Sequence, residues 1–129
     1  MASSFDKLRM GIFPEPHAER VEARGQLRGA MRYNSFAEFY PFYLGEHADR
    51  RTRRIHFIGS ALVLACFILL MATGDWWWLA AAPLCGYGFA WIGHFAFEKN
   101  RPATFRHPLY SLMGDWVMFW QILTGKIAF

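Results

Sequence analysis

The stretch that decides the fold is IHFIGSALVLACFILLMATGDWWW, residues 55–78. Its first 19 residues, Ile55 to Thr73, are broken only by His56, Gly59, Ser60 and Cys66. A run of that length approaches the ~20 apolar residues a helix needs to cross a bilayer. Thr73-Gly74-Asp75 reads as a tight turn, and Trp76, Trp77 and Trp78 as an aromatic belt at a membrane–water boundary. Trp76 to Phe97 is a second apolar span of 22 residues, interrupted late by His94. The plainer alternative is the core of a soluble helical protein. Arg50, Arg51, Arg53 and Arg54 before the first span, and Lys99, Arg101 and Arg106 after the second, favour insertion. Cations gather on the cytoplasmic side of spans, which places residues 1–54 and 98–107 on that side and the Gly74-Asp75 turn on the other.

Outward from this hairpin, Pro108 to Phe129 is a third apolar stretch carrying Asp115, Gln121 and Lys126. It either spans or packs partly buried on its neighbours. Upstream, Phe36, Phe39, Tyr40, Tyr43 and Leu44 recur at helical spacing behind Asn34 or Ser35 as N-cap. Pro41 is expected to bend this helix or divide it. With its aromatic face, the helix suits a membrane interface, and positions 36, 40, 43 and 47 share one side. Residues 1–33 form a polar lead broken by glycines and prolines, with a short helix expected near Glu19–Arg28 and His17 read as a surface histidine. The expected fold is an all-α membrane protein: a small bundle of two or three transmembrane helices in residues 34–129, plus the interfacial helix.

Composition agrees with this picture. Hydrophobic residues make up 54% of the chain, above the usual range for a soluble domain. The net charge of +4 raises the question of nucleic acid. Its cations cluster at span ends, however, and no groove-reading or base-stacking module is present, so nucleic-acid binding is set aside. Cys66 and Cys85 lie inside apolar segments and read as packing residues. No charged-then-apolar signal peptide opens the chain.

The hairpin has a chemical consequence. His56 opens the first span and His94 closes the second, so antiparallel packing brings both to one face. His107 lies in the link on that face, and His47 ends the interfacial helix. Gly86, Ala90, Gly93 and His94 form a small-residue strip, which marks the side where membrane helices approach and turns His94 inward. His107, Ser111 and Asp115 repeat at i, i+4 and i+8, and an intramembrane carboxylate suggests a function. Four histidines at one level suit Fe(II), Zn(II) or Cu(II). Glu98, four residues after His94, reads as ligand or as ring orienter. Glu98, Lys99 and Arg101 form either a solvated helix end or a site at which a cation pairs with a fatty carboxylate. The candidate metal ligands are therefore His47, His56, His94 and His107. Glu98, Arg101 and Asp115 are candidate catalytic groups, and Tyr43, Lys99, Asn100, Arg101 and Ser111 candidate substrate contacts.

The run Gly93-His94-Phe95-Ala96-Phe97-Glu98-Lys99-Asn100-Arg101-Pro102-Ala103, followed by Ser111-Leu112, resembles the Mpo1-like 2-hydroxy fatty acid dioxygenases. Phe39-Tyr40-Pro41-Phe42-Tyr43 with His47 and His56 is similar to the family's aromatic–histidine opening. The resemblance implies a compact, bacterial-type membrane protein that uses Fe(II) and O2 to shorten 2-hydroxy fatty acids by one carbon, with His47, His56 and His94 as iron ligands. The reaction balances as 2-hydroxy acid plus O2 to the shorter acid, CO2 and water. The substrate supplies all four electrons, so no 2-oxoglutarate or flavin is required, and no nucleotide-binding glycine loop is seen. The implied partners are the 2-hydroxy fatty acid, O2 and membrane lipids, and a homo-oligomer is compatible. The implied location is the inner (cytoplasmic) membrane of a bacterium, with the histidines near its cytoplasmic face. Two alternatives stand beside this. Another histidine-ligated lipid oxidoreductase, such as a di-iron desaturase, would carry dense histidine boxes that this chain lacks. A non-enzymatic membrane protein binding lipid or metal would hold no iron-dependent activity.

Overall fold

Ser35 starts the first helix. Its hydroxyl accepts from the Glu38 amide at 3.2 Å, while the Glu38 carboxylate accepts from the Asn34 amide at 3.1 Å. This variant of the capping box satisfies one amide that the helix leaves open and the amide just before the cap. The computed structural model describes residues 32–129. Expectations for residues 1–31, including the helix near Glu19–Arg28 and the role of His17, lie outside the described residues.

Helix α1, Phe36–Gly45, runs through Pro41 without being divided by it. The missing Pro41 amide removes one hydrogen bond on an exposed side of a short helix, and packing of the other side offsets that loss. Phe39 and Tyr43 are the residues of α1 that become fully buried. Their aromatic face meets protein: Phe36 and Phe39 lie against Tyr110, and the Tyr40 hydroxyl donates to Gln121 at 2.6 Å. Burying rings of this size contributes about 1.5–3 kcal/mol each.

Helix α2, Arg50–Thr73, is N-capped by Asp49, whose carboxylate accepts from the Arg51 amide at 2.8 Å. It ends where Gly74 takes a left-handed conformation (φ 69°) and donates to Leu70. Asp75 then accepts from the Trp77 amide at 3.0 Å and starts α3, Trp77–Ile92. The expected turn is thus present. α3 returns along α2, and the two approach closely where glycine permits. A Cβ at Gly59 would lie 2.9 Å from Phe89, and one at Gly86 would lie 3.2 Å from Val63. Beyond Ile92 the helix widens into a π-helical turn, Gly93–Glu98. A single 3₁₀ turn, Ala103–Phe105, leads to α4, Pro108–Leu123, which packs across α1. Cys66 and Cys85 are free thiols.

The fold is all-helical, with no strand among the described residues. Of these helices α2 is the one long and apolar enough to cross a membrane. In the expected second span the α-helix gives way to the π-helical turn at Gly93, and the third supplies a helix of only 16 residues. Only 17% of the most apolar window of α2 is buried within the chain. Ile68, Met71, Trp76, Trp77 and Leu84 stand open on the α2–α3 hairpin.

Candidate metal centre

Three histidines meet at the polar end of the hairpin. His47 follows α1, His56 lies in the second turn of α2, and His94 sits in the π-helical turn. All three are buried, and one ligand nitrogen from each lies within 4.8 Å of the others. Their ring centroids are 4.4 Å (His47–His56), 4.5 Å (His47–His94) and 5.2 Å (His56–His94) apart.

Each ring is held by its outer nitrogen. His47 Nδ1 lies 2.7 Å from the Tyr43 carbonyl oxygen, one helical turn back. His56 Nδ1 lies 3.2 Å from Asp115 Oδ1, and His94 Nδ1 lies 2.8 Å from Asn100 Oδ1. All three partners are oxygens suited to accept, so a proton on each Nδ1 would leave each Nε2 free to ligate. Burial, reinforced by charge repulsion from His56 and His94, pushes His47 well below the ordinary imidazole range and keeps it neutral. The Nε2 atoms of His47 and His56 are buried with no hydrogen-bond partner among the described residues. Buried unpartnered nitrogens are costly, and a metal ion would satisfy them. Neutral imidazoles with their second nitrogens anchored fit Fe, Zn or Cu.

The local backbone explains how His94 finds its partner. After the π-helical turn, Lys99 takes a left-handed conformation (φ 53°), uncommon for a residue with a side chain. This reverses the chain so that the Asn100 amide donates to the His94 carbonyl at 3.1 Å, while its side chain reaches the imidazole. The other end of the Asn100 amide donates to the Glu46 carbonyl at 3.2 Å and carboxylate at 3.0 Å. Thr52, one turn before His56, is fully buried, and its hydroxyl donates to Gly93 at 3.4 Å.

The remaining candidates separate clearly. His107 is not in the histidine group; its ring lies 5.3 Å from Tyr33 and 5.4 Å from Phe39, centroid to centroid. As N-cap of α4, with φ −133°, it stands outside the helix and does not continue the Ser111–Asp115 face. Glu98 is not in the histidine group: its carboxylate accepts from the Asp49 amide at 2.6 Å and ties the π-helical turn to the start of α2. Asp115 touches the outer nitrogen of His56 and also accepts from the Tyr43 hydroxyl. Tyr43 and Asn100, read from sequence as substrate contacts, are hydrogen-bonded to His47 and His94. Ser111 is buried on the inner side of α4, its hydroxyl without a partner among the described residues. Lys99 and Arg101 are exposed. Sequence reasoning missed Thr52 and Glu46; the placement of Thr52 four residues before His56 was a signal for the first.

The comparison with protein families agrees with the site. The Mpo1-like family, described as "2-hydroxy-palmitic acid dioxygenase Mpo1-like", matches residues 33–127, a stretch that contains all three histidines and each group that holds them. The chain belongs to the Mpo1-like family. No curated protein and no solved structure matches it.

Proposed function

We propose that this Mpo1-like protein is an Fe(II)-dependent dioxygenase that converts a 2-hydroxy fatty acid and O2 into the acid one carbon shorter, CO2 and water. The observation that carries the proposal is the buried group of three imidazoles, each anchored through Nδ1. No thiolate or carboxylate completes that group among the described residues. A closed structural zinc site has four protein ligands, whereas three leave room for reactants. Ferrous iron, when bound, supplies the redox chemistry that lets O2 react with a closed-shell organic acid. The chain holds the three rings by their outer nitrogens and buries them. Its Asp115 carboxylate accepts a hydrogen bond from His56 Nδ1 and fixes that ring's direction.

The fatty substrate fits the exposed apolar surface. His56 lies near the arginine-rich start of α2, with 17 residues of helix beyond it, roughly 25 Å at 1.5 Å per residue. An acyl chain lying along that length would bring its carboxylate to the histidine level, close to the cations of residues 50–54. We place the α2–α3 hairpin in a bilayer, with α1 and the histidines near the cytoplasmic face. Membranes from expressing cells washed with alkaline carbonate are expected to retain the protein until detergent is added. Release by carbonate alone would remove the membrane-embedded reading.

Activity is tested by anaerobic Fe(II) reconstitution of detergent-purified protein, followed by 2-hydroxypalmitate and O2. Pentadecanoate and one equivalent of CO2 are expected by mass spectrometry. Iron-loaded protein that consumes no 2-hydroxy acid would rule out the proposed reaction.

A further inference from the structure

We infer that Tyr43 is a positioning residue that sets two of the three histidines at once, through opposite ends of the same residue. This rests on the reading of the three histidines as a metal centre. The Tyr43 carbonyl oxygen accepts from His47 Nδ1 at 2.7 Å. Its hydroxyl donates to Asp115 Oδ1, and that same oxygen accepts from His56 Nδ1 at 3.2 Å. The ring between these ends is 1% exposed and lies against His47, tilted by 31° with centroids 4.1 Å apart. On its other side it lies over Gly114, where an added Cβ would come within 2.9 Å. The ring is therefore wedged between α4 and a ligand, and its hydroxyl points at the carboxylate.

The shared oxygen is what makes the arrangement informative. The Asp115 side chain is 26% exposed, so water competes for it and rotation about its last bond is cheap. Accepting from a fixed phenol and a fixed imidazole through one oxygen restrains that rotation. Without the phenol, Asp115 can turn toward solvent and His56 loses its fixed direction. The Tyr43 hydroxyl therefore acts on the metal centre only through Asp115. His94 is held by a separate route, Asn100 and Glu46, and stays in place.

A double-mutant cycle on metal affinity tests this without reference to turnover. Zn(II) and Co(II) binding is measured for the full chain in detergent, as wild type, Tyr43→Phe, Asp115→Ala and the double variant. Removing a group that orients a metal ligand typically weakens binding roughly 10- to 100-fold. Tyr43→Phe is expected to fall in that range and Asp115→Ala to fall at least as far. The double variant is expected to bind no more weakly than Asp115→Ala, because the hydroxyl then has nothing to act through. Asp115→Asn keeps an oxygen acceptor and is expected to recover part of the loss, with a Co(II) visible spectrum close to wild type. Unchanged affinity in Tyr43→Phe, or losses that multiply in the double variant, would overturn the inference. A wild-type chain that binds neither metal would instead remove the metal centre itself, and this inference with it.

Discussion

Protein carrying His56→Ala or His94→Ala is expected to purify with helical content intact, no bound iron, and turnover of 2-hydroxypalmitate below detection. The reason is the number of donors. Three imidazoles meet within 4.8 Å, and no fourth histidine, cysteine or carboxylate joins them among the described residues. Removing one leaves two ligands and an enlarged buried space. It also strands the group that held the missing ring: Asp115 for His56, and Asn100 for His94. Helical content should survive because both histidines lie at one end of the hairpin, while the α2–α3 packing runs on through Gly59 and Gly86. His107→Ala is the informative companion. Its ring packs on Tyr33 and Phe39 away from the histidine group, so iron content is expected to stay near the wild-type level. Metal analysis beside a turnover assay decides the matter. Full activity in either triad variant, or iron lost from His107→Ala as completely as from them, would refute the assignment of ligands.

The histidine group was legible in the sequence because it follows from topology. One histidine opens an apolar run, one closes the next, and a turn joins the runs, so antiparallel pairing must bring them level. What the sequence reading missed depends on local backbone. Glu98 was placed on the His94 face by counting four residues, which holds for an α-helix. In the structure its carboxylate accepts from the Asp49 amide at the start of α2, a contact between elements that spacing along one helix does not reveal. Asn100 became the His94 partner only through the left-handed Lys99, a conformation with no sequence signal when glycine is absent. The aromatic face of α1 was legible as apolar but not as to its partner. That partner, α4, lies more than sixty residues away in the chain, and a helix's own periodicity cannot tell protein from lipid. The exposure of α2 shows the same limit from the other side: composition gave its length and apolarity, and packing gave the fact that its neighbours leave it largely uncovered.

A second large effect is expected from one added methyl group. Gly114→Ala places a Cβ 2.9 Å from two carbons of the Tyr43 ring and 3.0 Å from a third. That ring cannot yield easily, since it is buried, packed against His47 and hydrogen-bonded to Asp115. Overpacking of this kind costs about 1–3 kcal/mol. Here the displacement also passes to two metal ligands, so Zn(II) affinity is expected to drop together with thermal stability. Gly88→Ala supplies the contrast. It is the same chemical change inside a helix, at a position where a Cβ meets nothing within 4 Å. There the substitution removes only the conformational freedom of glycine and is expected to stabilise by roughly 0.5–1 kcal/mol. Opposite signs in thermal unfolding, with metal affinity reduced only in Gly114→Ala, would tie the loss to the Tyr43 ring rather than to glycine replacement in general. If Gly114→Ala bound Zn(II) as tightly as wild type, the packing of α4 on Tyr43 would have no part in shaping the metal centre.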